Sequence, residues 1–406
     1  MKKKLRIYFY TDTFLPAVDG VVTSMLSFKQ ELERRGHEVY IVTPGSSETK
    51  KLAAMHDHII LVPGLKFKRY PQYRFALLPF IAAMKNDLNN ADIIHLQTPF
   101  FMGIYGLLLS KMSRIPAVGS FHTLFTSPNV IKEYASTSKL ANRVFMRYAW
   151  PYARFFYNKC ASVIAPSESV EGLLKRQQIY NVSMVPNGID TERFNPKVNG
   201  RSVRARLLGK SRDKLVLYVG RLSAEKNVQT LIRAAHILRG KPIRFVIVGI
   251  GPAMRKYVHM TARYRLGDRI KFVGFVPDKE LPKYYAAADL FCMPSTFETQ
   301  GIVALEAMAC GKPVVGADYM ALKDLIKNGR NGEKFRPRDS KDCARKIEKV
   351  INNMSSYKMM VSTAEQYSVK KATDRLLDVY GKTIEKGVVS NNDSYYSGLV
   401  GRLIDR

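Results

Sequence analysis

Short apolar runs of strand length alternate with helix-length stretches along this chain, and the alternation stops once and starts again. Leu5 to Tyr10 is the first such run; after the turn at Pro16 to Gly20, the residues Val21, Met25, Phe28 and Leu32 recur at one helix face, which Gly36 ends. Further runs lie at Val39 to Val42, His58 to Val62, Asp92 to Leu96, Ala117 to Phe121, Ser162 to Ala165 and Val182 to Val185. A polar, basic stretch around Thr191 to Lys214 follows, and the pattern restarts at Leu215 to Val219, Arg244 to Val248, Ile270 to Val273, Leu290 to Met293 and Val314 to Gly316. Strands separated by helices imply parallel sheets with right-handed crossovers. At 406 residues the chain also exceeds one ordinary core. The expected class is therefore α/β: two Rossmann-like domains, 1–194 and 195–367, facing across one cleft. Residues 368–406 are expected to form a helix and tail able to pack back on the first domain.

Composition removes several alternatives. The lysines at the N-terminus precede an apolar run that soon meets Asp12, too short for a secretory signal. The longest uncharged stretch, Leu96 to Ser110, contains Gln97, Pro99 and two glycines and falls short of the ~20 apolar residues of a spanning helix. It is expected to be a buried helix. Cys160, Cys292, Cys310 and Cys343 form no paired or metal-ligating pattern, so they read as buried thiols of a reducing cytoplasm. The net charge of +31 predicts attraction to an anionic partner, either a membrane surface or nucleic acid. No nucleic-acid module accompanies it, and the basic residues spread over both halves, so no specific nucleic-acid partner is expected; a non-enzymatic nucleic-acid-binding protein is the remote alternative.

The most informative segment runs from Phe297 to Val315, after one strand and into a helix opening near Gly301. A helix N-terminus offers unpaired N–H groups and a positive dipole end to phosphate oxygens, which makes Thr299, Gln300 and Gly301 candidate contacts of a bound nucleotide. Glu298 precedes the helix and Glu306 lies inside it, about two turns away. Their flanks are small and apolar (Ala304, Leu305, Ala307, Ala309), so an unpartnered Glu306 would be costly.

This segment resembles the glutamate-x7-glutamate motif of the family 4 glycosyltransferases, and other segments match that family in order along nearly the whole chain. The resemblance implies the two-domain GT-B fold, a hexosyltransferase reaction with retention of anomeric configuration, and a nucleotide-sugar donor, with no resident cofactor and no metal required. Val219 to Asn227 resembles the loop whose arginine and lysine hold the donor diphosphate, here Arg221 and Lys226. A guanidinium and an ammonium at that point stabilise the departing negative charge. Gly249 to Pro252 resembles the family's glycine turn, with Gly249 and Gly251, and Gly274 to Pro277 the stretch lining the base, with Val276. Val185 to Asp190 resembles the segment entering the linker. In the first half, His122 of Ser120-Phe-His-Thr123 resembles the histidine facing the reacting sugar, and Pro16 to Ser24 the glycine loop beside the diphosphate. Asp19 stands where many members have glycine, so only Gly20 and the backbone of Val21 carry over. Glu298 is expected to orient the sugar, and no covalent nucleophile is assigned.

Glu298-Thr-Gln-Gly301 replaces the commoner Glu-Gly-Phe-Gly and, with Asp19-Gly-Val-Val-Thr-Ser24, resembles bacterial 1,2-diacylglycerol 3-glucosyltransferases. That implies UDP-glucose as donor and diacylglycerol as acceptor; a phosphatidylinositol-like or polyprenyl lipid, or a soluble saccharide, is the alternative. Independently, Lys66, Lys68, Arg69 and Arg74 interleave with aromatic residues between positions 65 and 75, a pattern suited to an anionic bilayer. A second basic, aromatic stretch spans Arg143 to Lys159, where Pro151 is expected to kink or interrupt a helix. The expected location is the cytoplasmic face of a membrane, peripherally bound.

Overall fold

The computed structural model of the protein describes residues 4–16, 20–45, 49, 51, 56–66, 74–76, 88, 90–126 and 139–387. Their apolar runs build two parallel sheets. In the first, β1 (Arg6–Tyr10), β2 (Glu38–Pro44), β3 (Ile59–Val62), β4 (Ile93–Leu96), β5 (Ala117–Ser120), β6 (Ser162–Ala165) and β7 (Val182–Met184) lie in the order β3-β2-β1-β4-β5-β6-β7. In the second, β8 (Lys214–Val219), β9 (Ile243–Val248), β10 (Ile270–Gly274), β11 (Leu290–Met293), β12 (Val314–Ala317) and β13 (Gly332–Phe335) lie in the order β10-β9-β8-β11-β12-β13. Each sheet starts on a central strand and reverses direction of growth beside it. Such a switch point opens a crevice at the carboxyl ends of the strands.

Strands buried on both faces need near-continuous apolar runs, and β1, β4 and β11 have them. The helices that matter below are α1 (Gly20–Arg34), α2 (Phe101–Ser113), α3 (Lys139–Tyr157), α4 (Glu168–Arg176), α5 (Ile302–Ala309), α6 (Met320–Leu325) and α7 (Val369–Lys386). Along α1, the buried residues Val21, Met25, Phe28 and Leu32 follow the helical spacing of the sequence. The chain passes between the halves at Ile189 and again near Ser368, where the two segments pair backbone to backbone. Beyond that crossing α7 returns to the first domain. Its Ala372, Leu376, Val379 and Tyr380 share a core with Ile7, Phe9, Met25 and Phe28, and Asp374 receives Arg35 at 2.5 Å.

Two expectations change. The stretch around Leu96 to Ser110 is not a buried helix: α2 buries Met102, Tyr105 and Leu109 but leaves Phe101, Ile104, Leu108 and Met112 exposed along its other side. Pro151 does not interrupt α3, which runs through it. Proline removes the hydrogen bond to the residue four earlier, and both Pro151 and Arg147 are exposed, where water can satisfy that carbonyl. Gly64–Lys66 and Arg74–Ala76, within the basic, aromatic stretch of the sequence, form an antiparallel pair in which Lys66 stands opposite Arg74. Lys68 and Arg69 lie outside the described residues.

Candidate active site

The loops at the carboxyl ends of β8 and β11 bring Lys226 and Glu298 together: the ammonium donates to Glu298 Oε1 at 2.7 Å, with both side chains largely buried. Asn227 follows Lys226 in the left-handed conformation, and its amide reaches Thr296 Oγ1 at 2.6 Å, tying one loop to the other. Arg221 stands exposed at the end of β8, its carbonyl fixed by the Tyr218 hydroxyl at 3.1 Å. Beside it, Gly249 and Gly251 allow backbones to touch. A Cβ on Gly249, whose φ is +126°, would stand 2.0 Å from the Gly220 carbonyl oxygen, and one on Gly251 2.4 Å from that of Leu222. Val276 is buried in the second domain's core just after β10, next to an exposed Phe275.

Gly301 takes a left-handed φ of 82° and caps α5, so the backbone turns sharply from the Glu298 loop into the helix. The first N–H groups of α5 have no partner within the helix. One turn into α5, Glu306 accepts a hydrogen bond from Tyr285 Oη at 2.7 Å. Burial pushes its carboxyl up to about 7, against the opposing pull of Tyr285 and the more distant Arg193.

Across the cleft, His122 follows β5, with Nε2 2.8 Å from Gln97 Oε1. Burial lowers its pKa to about 4, and a side-chain hydrogen bond with Asn187 opposes that shift. At neutral pH the ring is therefore an uncharged hydrogen-bonding group. Gly20 opens α1 with Val21 buried behind it. The two sides meet through the Glu298 loop: Thr299 Oγ1 donates to the His122 carbonyl at 3.0 Å, and Gln300 bonds both backbone groups of Asn187 at 2.7 Å each.

The structure thus gathers Lys226, Glu298, Thr299, Gln300, Gly301 and Glu306 on one side of the crevice, with Arg221, Gly249 and Gly251 at neighbouring strand ends. His122 is joined to that group through its own backbone. Three residues with structural parts in the site carry no role in the sequence reading: Asn187, Tyr285 and Gln97. Asn187 sits in the Val185 to Asp190 segment that had signalled only a linker; Tyr285 and Gln97 carry no signal of their own. Among the described residues, no cluster of three or more His, Cys, Asp or Glu could hold a metal ion, and no helix is long and apolar enough to cross a membrane.

Two parallel-sheet domains meeting at their strand ends around this constellation define a GT-B glycosyltransferase. Residues 18–193 match the model of Glycosyltransferase Family 4, and residues 201–367 that of Glycosyl transferases group 1. An alpha-monoglucosyldiacylglycerol synthase of Streptococcus pneumoniae is 31% identical over 79% of this chain and 73% of its own length. A sulfoquinovosyl transferase of Arabidopsis thaliana is 30% identical over 88% of this chain and 70% of its own. A GDP-mannose-dependent alpha-mannosyltransferase of Corynebacterium glutamicum is 29% identical over 81% and 76%. Among solved structures, an Anabaena protein crystallised with UDP has the same fold, with a TM-score of 0.74 at 22% identity over 94% of this chain and all of its own. The chain belongs to glycosyltransferase family 4.

Proposed function

We propose that this enzyme transfers glucose from UDP-glucose to the free hydroxyl of diacylglycerol at an anionic membrane surface, with retention of configuration. Arg221 and Lys226 would neutralise the departing diphosphate, the N-terminus of α5 with Thr299 and Gly301 would receive its oxygens, and Glu306 would hold the ribose. Gly20 and Val21 would approach the diphosphate from the first domain, with Gly249, Gly251 and Val276 walling the nucleotide. Glu298 would orient the sugar and His122 would face it as a neutral partner. The acceptor oxygen bonds to C1 while the C1–O bond to phosphate breaks; its electron pair leaves with the nucleoside diphosphate, which also takes the acceptor's proton. No metal or resident cofactor takes part in this reading.

The observation that carries the lipid acceptor is the outer surface of the first domain. On α2, Phe101, Ile104, Leu108 and Met112 expose one continuous apolar stripe. The adjoining α3 adds Phe145 and Tyr148, exposed beside Arg143 and Arg147. The two helices touch at Gly103, where a Cβ would stand 3.0 Å from the Phe156 ring. Neither carries an acidic residue. Apolar and basic side chains without carboxylates suit an anionic bilayer. The paired segments carrying Lys66 and Arg74, with Lys68 and Arg69 between them, would add to the same attraction.

The named activities of relatives at similar identity favour a second reading, transfer of mannose or another sugar from a different nucleotide-sugar donor. Both readings are separated by offering labelled UDP- and GDP-sugars with diacylglycerol in anionic mixed micelles, alongside a soluble saccharide. Organic-phase label from UDP-glucose supports the first; organic-phase label from another donor supports the second. Label confined to the soluble saccharide refutes a lipid acceptor.

A further inference from the structure

Resting on that reading of the site, we infer that Thr299 and Gln300 act as a clamp between the domains, making Gln300 a positioning residue that sets His122 against the Lys226–Glu298 pair. The Gln300 amide is 4% exposed and committed to protein: Oε1 accepts from Asn187 N–H and Nε2 donates to the Asn187 carbonyl, each at 2.7 Å. A two-bond ring of this kind fixes both distance and orientation of the peptide it holds.

The Asn187 side chain passes that orientation on. Its Oδ1 accepts from Ser24 Oγ in the second turn of α1 at 2.7 Å, with Ser24 only 1% exposed. The same side chain lies near enough to the His122 imidazole to oppose the fall in its pKa that burial causes. Thr299 adds a second tie, from its hydroxyl to the His122 carbonyl. Two adjacent residues between Glu298 and α5 therefore hold the histidine, and through Asn187 also α1. Glycine and phenylalanine at these two positions could make none of these side-chain bonds. Thr299 and Gln300 turn a loop of the donor side into the fastening of the opposite domain.

The test uses the full-length enzyme with spin labels on Cys substitutions at the exposed Tyr180 and Ile237, one in each domain, and compares wild type with the near-isosteric Thr299→Val/Gln300→Met. The clamp predicts one narrow interdomain distance in wild type and a broadened one in the variant. With the hexose donor the enzyme uses, the ratio of transfer to donor hydrolysis should fall about 10- to 100-fold. Thr299→Ser should keep the wild-type ratio. Should the double variant fail to fold, Ser24→Ala, which cuts only the link from α1 to Asn187, should still lower the ratio. An unchanged distance distribution overturns the clamp; so does a loss of rate in proportion to folded protein at constant ratio. If wild type transfers no hexose to any acceptor, the proposed reaction fails, and the distance measurement alone decides the clamp.

Discussion

Lys226 Nζ and Glu298 Oε1 stand 2.7 Å apart, a pair formed between loops that follow different strands of the second sheet. In the proposed reaction, the pair would keep a cation for the diphosphate in place beside a carboxylate that orients the sugar. Lys226→Ala removes the charge proposed to stabilise the leaving group and leaves Glu298, largely buried, without its ion-pair partner. Loss of one such stabilising donor costs on the order of 10²-fold in turnover. Steady-state kinetics of donor hydrolysis and transfer should show that loss in kcat, and near-normal turnover in Lys226→Ala removes the assignment.

If Glu306 holds the ribose as proposed, donor binding should depend on pH. With its carboxyl raised to about 7 by burial, it is protonated in mild acid and becomes a full acceptor for ribose hydroxyls only as pH rises through neutrality. Donor affinity should therefore increase between about pH 6 and pH 8 and be flat in Glu306→Gln. His122, held near 4 by burial, stays neutral over this range and does not contribute. Stability runs the other way. A carboxyl raised in the folded state contributes stability that is complete below its unfolded pKa and is lost as pH passes its folded value near 7. Urea unfolding at pH 5 and pH 8 should show this loss in wild type and its absence in Glu306→Gln; titration of donor binding at the same pH values checks the affinity.

The alternation of apolar runs made the two parallel sheets legible, because strands buried on both faces cannot avoid being apolar. Gly332–Phe335 escaped that signal: β13 lies at the sheet edge and reads Gly-Glu-Lys-Phe, its Glu333 buried only because Lys346 and Lys349 both reach it at 2.7 Å. Glu298, Lys226 and Glu306 were singled out because the short segments that carry them resemble motifs of one family, not because their spacing alone fixes a role. Asn187 was not, since its role depends on Ser24, His122 and Gln300, which are distant in the chain. The stripe on α2 was misread for a different reason. Apolar residues all round a short helix look the same in sequence whether a core or a bilayer covers the outer side.

Gly249 and Gly20 separate close packing from helix initiation. Gly249→Ala must place a methyl 2.0 Å from the Gly220 oxygen at a φ of +126°, so the β8 and β9 loops have to move apart. Strain of this sort costs on the order of 1–3 kcal/mol, and the overlap adds to it. A Cβ at Gly20 meets nothing within 4 Å, and Gly20→Ala should change stability by less than about 0.5 kcal/mol. Thermal and urea unfolding of the two variants should differ accordingly, and equal stabilities would contradict the packing at the β8–β9 turn.

The proposed membrane attachment can be divided between its apolar and its charged parts. Ile104, Leu108 and Met112 lie on one side of α2 and are each exposed, so replacing all three with serine leaves the buried side of the helix and the active site untouched. Each apolar side chain that enters a bilayer boundary contributes through its buried area at roughly 25 cal/mol per Å². Together the three changes should weaken vesicle binding about tenfold or more, at any ionic strength. Arg143→Ser/Arg147→Ser should act differently: each cation near an anionic surface is worth about 1 kcal/mol, screened by salt. Sedimentation with anionic and zwitterionic vesicles at two salt concentrations tells the parts apart. The serine variant should lose binding to both vesicle types and the arginine variant only to the anionic ones at low salt, whereas wild-type sedimentation in both would remove α2 and α3 from the membrane contact. Because these residues stand on the outer surface of the first domain, hydrolysis of the donor in the absence of lipid should be unchanged in both variants.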